Sequence, residues 1–272
     1  MSFEHNDKIS DFIKDSKISK DRFIKNNLPE IIFTIIYDNC ACNLNLKKGF
    51  GFSCFIQYRN KKILFDTGGD SKAFFQNIKK LNVKLTDVTH VVFSHQHWDH
   101  TAGFKDVLQK MSDNTQIYLP SIFSKSLLKE IPKNLQLNCI KDFLQIDNYL
   151  YSLVLKGRLG VAKKCSFIYE QVLIFKISKG LVVLTGCGHP GILNIANYVS
   201  TKLCSNIYLL IGGFHLHHSF GSTIDAIVKE VQLVGVQNIA PCHCTGKEAV
   251  DKFRKAYNNN FYNLGTGSVL KI

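Results

Sequence analysis

The segment that most constrains the fold of this chain is "THVVFSHQHWDHT", residues 89–101. A short apolar run, which predicts a buried strand, leads directly into four metal-ligand side chains: His95, His97, Asp99 and His100. A strand end fixes the backbone, so side chains in the following turn can converge on one point. Imidazole and carboxylate groups both suit Zn, Mn and Fe. Because the segment alone also fits a polar turn, a metal site requires further ligands elsewhere.

Two later segments offer such ligands in the same setting. His189 follows the apolar run "LVVLTG" in "TGCGHPG", and His243 follows "NIAP" in "PCHCTG". Both histidines are flanked by small residues, which let the backbone approach an ion closely. Each histidine taken alone also fits a structural turn. His90, inside the strand "THVVF", is expected to be structural.

The rest of the pattern alternates apolar strands with helices. Residues 105–170 are less readable, with a strand at 115–119. The turn Lys179-Gly180 joins two strands, and Ser222 or Thr223 is expected to cap a helix. Such alternation favours sheets covered by helices in one domain. Strands are predicted at 31–38, 53–59, 62–69, 89–95, 173–178, 181–186, 206–213, 238–243 and 267–272, and helices at 71–83, 192–203, 222–235 and 245–257.

Composition narrows the class of protein. The chain is 45% hydrophobic and 20% charged, as expected of a globular protein with a sizeable core. Its apolar runs are too short to span a bilayer, and its start lacks a secretory signal. Nine cysteines, an odd number, favour reduced thiols over a disulfide framework, and a cytoplasmic location is expected. The two CxC pairs, Cys40/Cys42 and Cys242/Cys244, are weak metal signals.

The formal net charge of +13 indicates a generally positive surface that attracts anionic small molecules. Among the 34 basic residues only Arg22, Arg59, Arg158 and Arg254 are arginines, and the lysines are scattered. No nucleic-acid-binding motif is visible. We therefore expect a small-molecule substrate, with neither nucleic acid nor membrane as partner. The sequence leaves the oligomeric state open.

Residues 1–30 differ from the remainder in being polar and charged. Ile9, Phe12 and Ile13 have helical spacing, so a short amphipathic helix and a flexible extension are both compatible with this stretch. The predicted organisation is an N-terminal extension at 1–30 and a domain at 31–272.

Five motifs in order carry a resemblance to a known family: "ILFDTGGD", "VVFSHQHWDHTAG", "LTGCGHPGI", "IGGFHL" and "PCHCTG". Over residues 31–272 the chain resembles the metallo-β-lactamase superfamily, and within it the dihydropterin-ribofuranosyl-aminobenzene-phosphate synthase-like branch. The resemblance implies an α/β fold of four layers, an αββα sandwich, with a metal site at one edge. It also implies two divalent ions, foremost Zn²⁺, with Mn²⁺ or Fe as alternatives.

The same resemblance implies roles for individual residues. His95, His97 and His189 would bind one ion, and Asp99, His100 and His243 the other; Asp66 would orient a ligand. The chain departs from the common pattern because no histidine lies between His100 and His189. It also has Cys187 where many relatives have a metal-bridging aspartate. The Cys187 thiolate would bind the metal directly, or Cys187 would be a buried structural residue.

The predicted function is hydrolysis of a small, phosphorylated or phosphodiester substrate through a metal-bound hydroxide that Asp99 helps to orient. His215 is a candidate for catalysis and substrate contact, and Thr245 and Gly246 open a helix whose amides could receive an anion. Two other functions stay open. One is a pterin-related synthase that forms a carbon–nitrogen bond with a phosphorylated aminobenzene riboside. The other is a non-hydrolytic metal- or redox-sensing protein.

Overall fold

The computed structural model describes residues 31–159 and 166–272. We number the strands and α-helices of this part in chain order. The strands are β1 Ile31–Tyr37, β2 Ser53–Tyr58, β3 Lys61–Phe65, β4 His90–Val92, β5 Gln116–Pro120, β6 Gln136–Ile140, β7 Phe143–Gln145, β8 Leu150–Leu159, β9 Ser166–Ile177, β10 Gly180–Thr185, β11 Ile207–Gly213, β12 Asn238–Cys242 and β13 Val269–Lys271. The helices are α1 Ser71–Lys80, α2 Trp98–Thr101, α3 Phe104–Leu108, α4 Lys125–Lys129, α5 Ile192–Leu203, α6 Gly221–Leu233 and α7 Lys247–Tyr257.

The strands form two sheets. The first has the order β13-β1-β2-β3-β4-β5-β6, antiparallel as far as β3 and parallel from β3 to β6. The second has the order β12-β11-β10-β9-β8-β7, in which β10, β11 and β12 are parallel and the other pairs are antiparallel. Each sheet therefore has a parallel half and an antiparallel half.

The largest part of the core lies between the two sheets. Phe33 and Tyr58 from the first sheet meet Phe175 from the second in edge-to-face contacts, with ring centroids 5.8 and 5.2 Å apart. All three rings are buried, and burying a side chain of this size contributes about 1.5–3 kcal/mol. Apolar contacts between the facing surfaces thus hold the sheets together.

Helices cover the outer surfaces of both sheets. Phe74 of α1 and Phe104 of α3 pack on the first sheet, while residues of α5, α6 and α7 pack on the second. Helix α5 spans the predicted 192–203 because Ile192, Ile195, Ala196 and Val199 repeat at helical spacing and are all buried. The predicted αββα sandwich is confirmed.

Several element ends differ from the prediction. The cap of α6 is Phe220 rather than Ser222 or Thr223, because the first helical hydrogen bond already runs from the Ile224 N–H to the Phe220 carbonyl. Helix α7 begins at Lys247, after a 3₁₀ turn at His243–Thr245 that ends at Gly246 with φ 81°. The β9–β10 turn lies at 178–179, one residue earlier than predicted.

The predicted division into an extension and a domain is not tested by the structure. The predicted extension at 1–30 lies outside the described residues, and the boundary of the 31–272 domain stays a prediction. Within 31–159 and 166–272, no helix is both long enough and apolar enough to cross a bilayer. The cysteines of residues 31–159 and 166–272 are free thiols.

The parallel halves of the two sheets bring several strand ends to one edge. In the first sheet β3 and β4 end side by side, with Phe65 paired to Val92. In the second sheet the ends of β10, β11 and β12 are adjacent, with Thr185 paired to Gly212 and Gly213 to Cys242. Ligand sites in parallel sheets lie beyond the carboxyl ends of the strands, and the ligand-type residues follow these ends.

Candidate metal centre

Metal-ligand side chains converge beyond these strand ends in two sets. The three-histidine set consists of His95, His97 and His189, and the four-ligand set of Asp99, His100, Cys187 and His243. Within each set the donor atoms lie within 4.8 Å of one another. These are the two groupings that the resemblance implied, with Cys187 added to the second.

The three-histidine set has donor atoms that lack a protein partner. The ring of His95 lies 4.7 Å from that of His97 and 4.6 Å from that of His189, centroid to centroid. The Nε2 atoms of His95 and His189 are buried and have no hydrogen-bond partner. Buried polar atoms are rarely left unpaired because doing so costs about 1–3 kcal/mol each. These two nitrogens are therefore placed to bind a ligand.

In the four-ligand set the donor atoms crowd together. His100 Nε2 lies 3.2 Å from both His243 Nε2 and Cys187 Sγ. The Asp99 carboxylate lies 3.5 Å from His100 Nε2 and 3.4 Å from His243 Nε2. A cation between these atoms would turn an array of facing lone pairs into a coordination shell.

Hydrogen bonds at the opposite nitrogens fix which ring atoms are free to coordinate. His100 Nδ1 donates to Asp66 at 2.7 Å, and His189 Nδ1 donates to Glu170 at 2.8 Å, since carboxylates only accept. His243 Nδ1 donates to Asn39 Oδ1 at 2.9 Å. Each neutral ring then has an unprotonated Nε2, which is the form that binds a metal.

His95 acquires the same tautomer indirectly. The Ser94 hydroxyl donates its proton to Asp66 at 2.6 Å and therefore accepts from His95 Nδ1 at 2.9 Å. Asp66 also accepts the Ser94 N–H at 2.7 Å. One buried carboxylate thus orients His100 directly and His95 through Ser94, the orienting role expected for Asp66.

The histidines and the carboxylate of the four-ligand set shift one another's pKa values. Burial lowers the pKa of His100, but Asp66 and Asp99 outweigh it and raise the pKa to about 10. His243 follows the same pattern, with burial opposed by Asp99 and Cys244, and its pKa is raised to about 9. Burial raises the pKa of Asp99, yet hydrogen bonds from His100 and His243 hold it below its ordinary value. The unpaired Nε2 atoms of His95 and His189 in one set, and the Asp99 carboxylate beside two imidazoles in the other, fit divalent cations.

Glu170 of β9 is a second buried carboxylate at the centre. It accepts the main-chain N–H groups of residues 186–189 and the Nδ1–H of His189. Burial raises the pKa of Glu170, but the bond from His189 and the main-chain donors hold the pKa below its ordinary value.

A third group of donors shares Cys187 with the four-ligand set. Cys187, His215 and Cys244 have donor atoms within 4.8 Å of one another. The ring of His215 is exposed and lies 4.5 Å from that of His189, centroid to centroid. Bonds from Cys187 and His215 hold the pKa of Cys244 below its ordinary value, against the effect of burial. His215 is therefore positioned at the rim of the centre.

Three residues of the centre have the left-handed backbone conformation, which residues other than glycine rarely adopt. The φ angles of Asp66, His215 and His243 are 55°, 52° and 51°. Such conformations cost of the order of 1–3 kcal/mol and cluster at functional sites. The surrounding contacts, rather than local preference, hold these residues in place.

Aromatic side chains stand at the rim on the His243 side. Phe50 is 46% exposed and Trp98 is 62% exposed, with ring centroids 6.0 Å apart and planes 28° apart. Phe50 also packs against the His243 ring at 5.3 Å. On the other side, His97 adjoins a cleft of about 100 Å³ lined mainly by Ile122, Phe123, Phe167, Ile168 and Tyr169.

Comparisons with known proteins agree with this geometry. The family model described as the metallo-beta-lactamase superfamily matches residues 46–117. A relative from Methanocaldococcus jannaschii, named 7,8-dihydropterin-6-methyl-4-(beta-D-ribofuranosyl)-aminobenzene-5'-phosphate synthase, is 24% identical over 89% of this chain and 96% of its own. An uncharacterised protein from the same organism is 29% identical over 88% of this chain and 99% of its own.

Solved structures share the fold. One, described as a metal-dependent hydrolase of the beta-lactamase superfamily, superposes with a TM-score of 0.73 at 26% identity, covering 89% of this chain and 99% of that chain. The chain thus resembles the metallo-β-lactamase superfamily in both sequence and fold. The short form of human tRNase Z has the same fold, with a TM-score of 0.58 at 14% identity over 88% of this chain and 98% of that chain. The resemblance found in the motifs, including that to the synthase-like branch, is confirmed.

Within this superfamily fold the remaining predicted residues have varied surroundings. Thr245 is fully buried, and its hydroxyl donates to the Cys242 carbonyl at 2.7 Å and accepts the Phe214 N–H at 3.1 Å. Gly246 packs tightly against the His217 backbone. Binding of an anion by the amides at Thr245 and Gly246 stays a prediction. The catalytic and metal roles of the other residues likewise stay predictions.

The residues of the centre that were missed at the level of sequence include Asn39, Ser94, Glu170 and Cys244. Cys244 had a weak signal in its CxC pair. Glu170 interrupts the apolar run "FIYEQVLIF", and a lone acid in a buried strand is costly unless it is paired. Asn39, in the loop after β1, had no comparable signal.

Proposed function

We propose that the chain is a metal-dependent enzyme that joins a pterin to a phosphorylated aminobenzene riboside through a carbon–nitrogen bond. The observation that carries this proposal is the exposed aromatic pair Phe50 and Trp98 beside the two donor sets. Stacking of a heteroaromatic ring on such a side chain contributes about 1–3 kcal/mol. The pair offers a flat ring, such as a pterin, a binding surface next to His243.

The cleft on the other side of His97 suits a second ring. Its lining is largely apolar and its volume is about 100 Å³, so it offers an aromatic ring apolar contacts. The Lys156 ammonium lies 3.6 Å from the centre of the Phe167 ring at this cleft. An aminobenzene ring in the cleft would have this cation nearby for its phosphate. The printed name of the M. jannaschii synthase describes a product with both parts.

The proposed reaction is a displacement. The amino nitrogen of the aminobenzene forms a bond to the methylene carbon on the pterin ring, and the bond from that carbon to a phosphate-type leaving group breaks. The leaving group departs with the electron pair, and the nitrogen releases one proton. Divalent ions, when bound, would supply charge stabilisation for the departing oxygen.

In this reaction the residues of the chain would bind the ions, accept the released proton and align the two rings. His95, His97 and His189 would hold one ion, and Asp99, His100, Cys187 and His243 the other. Asp99 stays ionised and would orient the nucleophile, while the exposed imidazole of His215 is placed to accept the released proton. Trp98, Phe50 and the cleft would align the two rings, which lowers the entropic barrier to a bimolecular reaction.

Hydrolysis of a phosphorylated or phosphodiester substrate is the second candidate function. Three neutral imidazoles would hold an ion with the ligand number of hydrolytic zinc sites. The solved structure with 26% identity is also described as a metal-dependent hydrolase.

Trp98 is the single tryptophan of the chain, so its fluorescence reports on this rim. We expect 6-hydroxymethyl-7,8-dihydropterin to quench the emission of zinc-loaded protein saturably. In calorimetry, Trp98→Ala should weaken pterin binding roughly 10- to 100-fold. Tyr198→Ala, an exposed aromatic on α5, is the matched control and should bind normally.

Turnover separates the two candidates. Metal-loaded protein given a phosphate-activated pterin and the aminobenzene riboside phosphate should form a coupled product, detected by chromatography with absorbance detection. Absence of both pterin binding and coupling would refute the synthase proposal. Release of phosphate or cleavage of phosphodiesters in their place would establish the hydrolytic function.

A further inference from the structure

The Glu170 side chain receives an unusual number of donors from one short loop. Its Oε1 accepts the N–H groups of Gly186, Cys187 and Gly188 at 3.1, 2.8 and 2.8 Å. Its Oε2 accepts both the N–H and the Nδ1–H of His189, each at 2.8 Å. The carboxylate is completely buried. Its environment is therefore defined by the loop rather than by solvent.

These bonds use essentially the full accepting capacity of an ionised carboxylate, which has about four lone-pair sites. Successive N–H groups that point inward form an anion-binding concavity, and here the anion is a side chain of the protein itself. Charge-assisted bonds of this kind are roughly twice as strong as neutral ones. A glutamine in the same place would present an amide NH₂ to some of these donors.

We propose that Glu170 is a positioning residue that holds ligands of both donor sets through the single loop 186–189. His189 belongs to the three-histidine set and is fixed by both its main chain and its ring. Cys187 belongs to the four-ligand set and is fixed by its main chain. By accepting the Nδ1–H, the carboxylate selects the His189 tautomer with a free Nε2. By accepting the Cys187 N–H, it fixes the main chain that carries the Cys187 thiol.

The surroundings leave this loop little room to shift. A Cβ on Gly186 would lie 2.2 Å from Ser94 Oγ, so the loop backbone is pressed against the residue that orients His95. Loss of the Glu170 anchor would therefore disturb His189 and Cys187 directly. It would disturb His95 through Ser94.

The decisive comparison uses two conservative variants. Glu170→Gln should lower the affinity for zinc at both sets, with the larger loss of about 10- to 100-fold at the three-histidine set. Asp66→Asn is the matched control, and it should weaken mainly the four-ligand set that contains His100. Chelator competition and elemental analysis measure the affinities and the number of ions per chain.

A second readout concerns the tautomer of His189. In metal-free wild type the ¹⁵N signals of this ring should show a protonated Nδ1, and Glu170→Gln should shift the population toward protonated Nε2. A role confined to folding would not change this ratio in a folded variant. Wild-type zinc affinity at both sets, with an unchanged tautomer, would overturn the proposal.

Hydrogen exchange in the wild type covers the case in which Glu170→Gln does not fold. The amides of residues 186–189 should then be among the slowest to exchange in metal-free protein, because all four donate to one buried carboxylate. Rapid exchange of these amides would overturn the proposal. None of these measurements depends on the identity of the substrate.

Discussion

Two buried carboxylates each hold one ligand-bearing segment of the metal centre, and they do so differently. Asp66, at the end of β3, receives the N–H and hydroxyl of Ser94 and the ring of His100. Glu170, in β9, receives four main-chain N–H groups and the ring of His189. One segment belongs to each sheet. The centre is thus built from two similar halves that face each other across the sandwich.

Burial and the neighbouring histidines act in opposite directions on the pKa of each carboxyl. Burial raises the pKa of Asp66, and the bonds from His100 and Ser94 do not fully offset it. For Glu170 the more numerous donors outweigh burial, and the pKa is lowered. Five hydrogen bonds to Glu170 hold the 186–189 loop in place. The 94–100 segment depends more on positive charge in the four-ligand set.

The largest expected effect follows from removing each carboxylate in turn. Glu170→Ala leaves four main-chain donors buried and unpaired, at about 1–3 kcal/mol each. We expect the free energy of unfolding of metal-free protein to fall by about 4 kcal/mol or more, and by clearly less in Asp66→Ala. Urea denaturation followed by circular dichroism measures both. Equal losses of unfolding free energy in the two variants would contradict the proposed difference between the Asp66 and Glu170 halves.

Cys187 tests whether the halves share a ligand. It lies on the Glu170-bound loop, yet its Sγ is 3.3 Å from His243 Nε2 in the other set. Four protein ligands together bind zinc with about 10–16 kcal/mol, so one ligand contributes about 3 kcal/mol. Cys187→Ser should therefore lower the zinc affinity of the four-ligand set roughly 100-fold. Cobalt-loaded wild type should show thiolate-to-metal absorption that the variant lacks. The same absorption in both proteins would exclude Cys187 as a ligand.

His90 provides a pH test outside both sets. Burial, assisted by Lys61, lowers the pKa of His90 from 6.5 to about 4. Above pH 6.5 the ring is neutral in both states. As the pH falls from 6.5 to 4 the unfolded chain gains a proton that the folded chain does not, so about 3 kcal/mol of stability is lost.

His90→Phe keeps a ring against Tyr118 and should remove that part of the acid sensitivity. Unfolding curves of zinc-loaded protein between pH 7 and 4 measure it. An unchanged pH dependence in the variant would assign the sensitivity to the ligand histidines instead.

The smallest expected effect concerns Asn39, which orients His243 in the four-ligand set. Its Oδ1 accepts from His243 Nδ1, and its Nδ2 donates to the His243 carbonyl at 3.2 Å. Asn39→Ala should lower affinity for the ion in that set about tenfold, the low end for loss of an orienting partner. Affinity at the three-histidine set should stay unchanged. A loss confined to the three-histidine set would contradict the assignment of His243.

The sequence predicted the half held by Asp66 better than the half held by Glu170. The 94–100 segment carries four ligand-type residues within six positions, and "LFDTG" brings Asp66 to the neighbouring strand end. These relations depend on adjacent parallel strands, which hydrophobic patterns reveal. Helix α5 was predictable because its apolar residues repeat at helical spacing.

The contacts of Glu170 depend on a register that no local pattern encodes. Glu170 reaches the 186–189 loop because β9 pairs antiparallel with β10, with Leu173 opposite Leu184. A shift of one residue would turn its side chain to the other face of the sheet.

The central claim is that two donor sets each hold a divalent ion. Elemental analysis of zinc-loaded wild type, His189→Ala and Asp99→Ala tests it directly. We predict two ions per chain in the wild type and about one in each variant, with the three-histidine set emptied in the first and the four-ligand set in the second. Unchanged metal content in both variants would contradict the account.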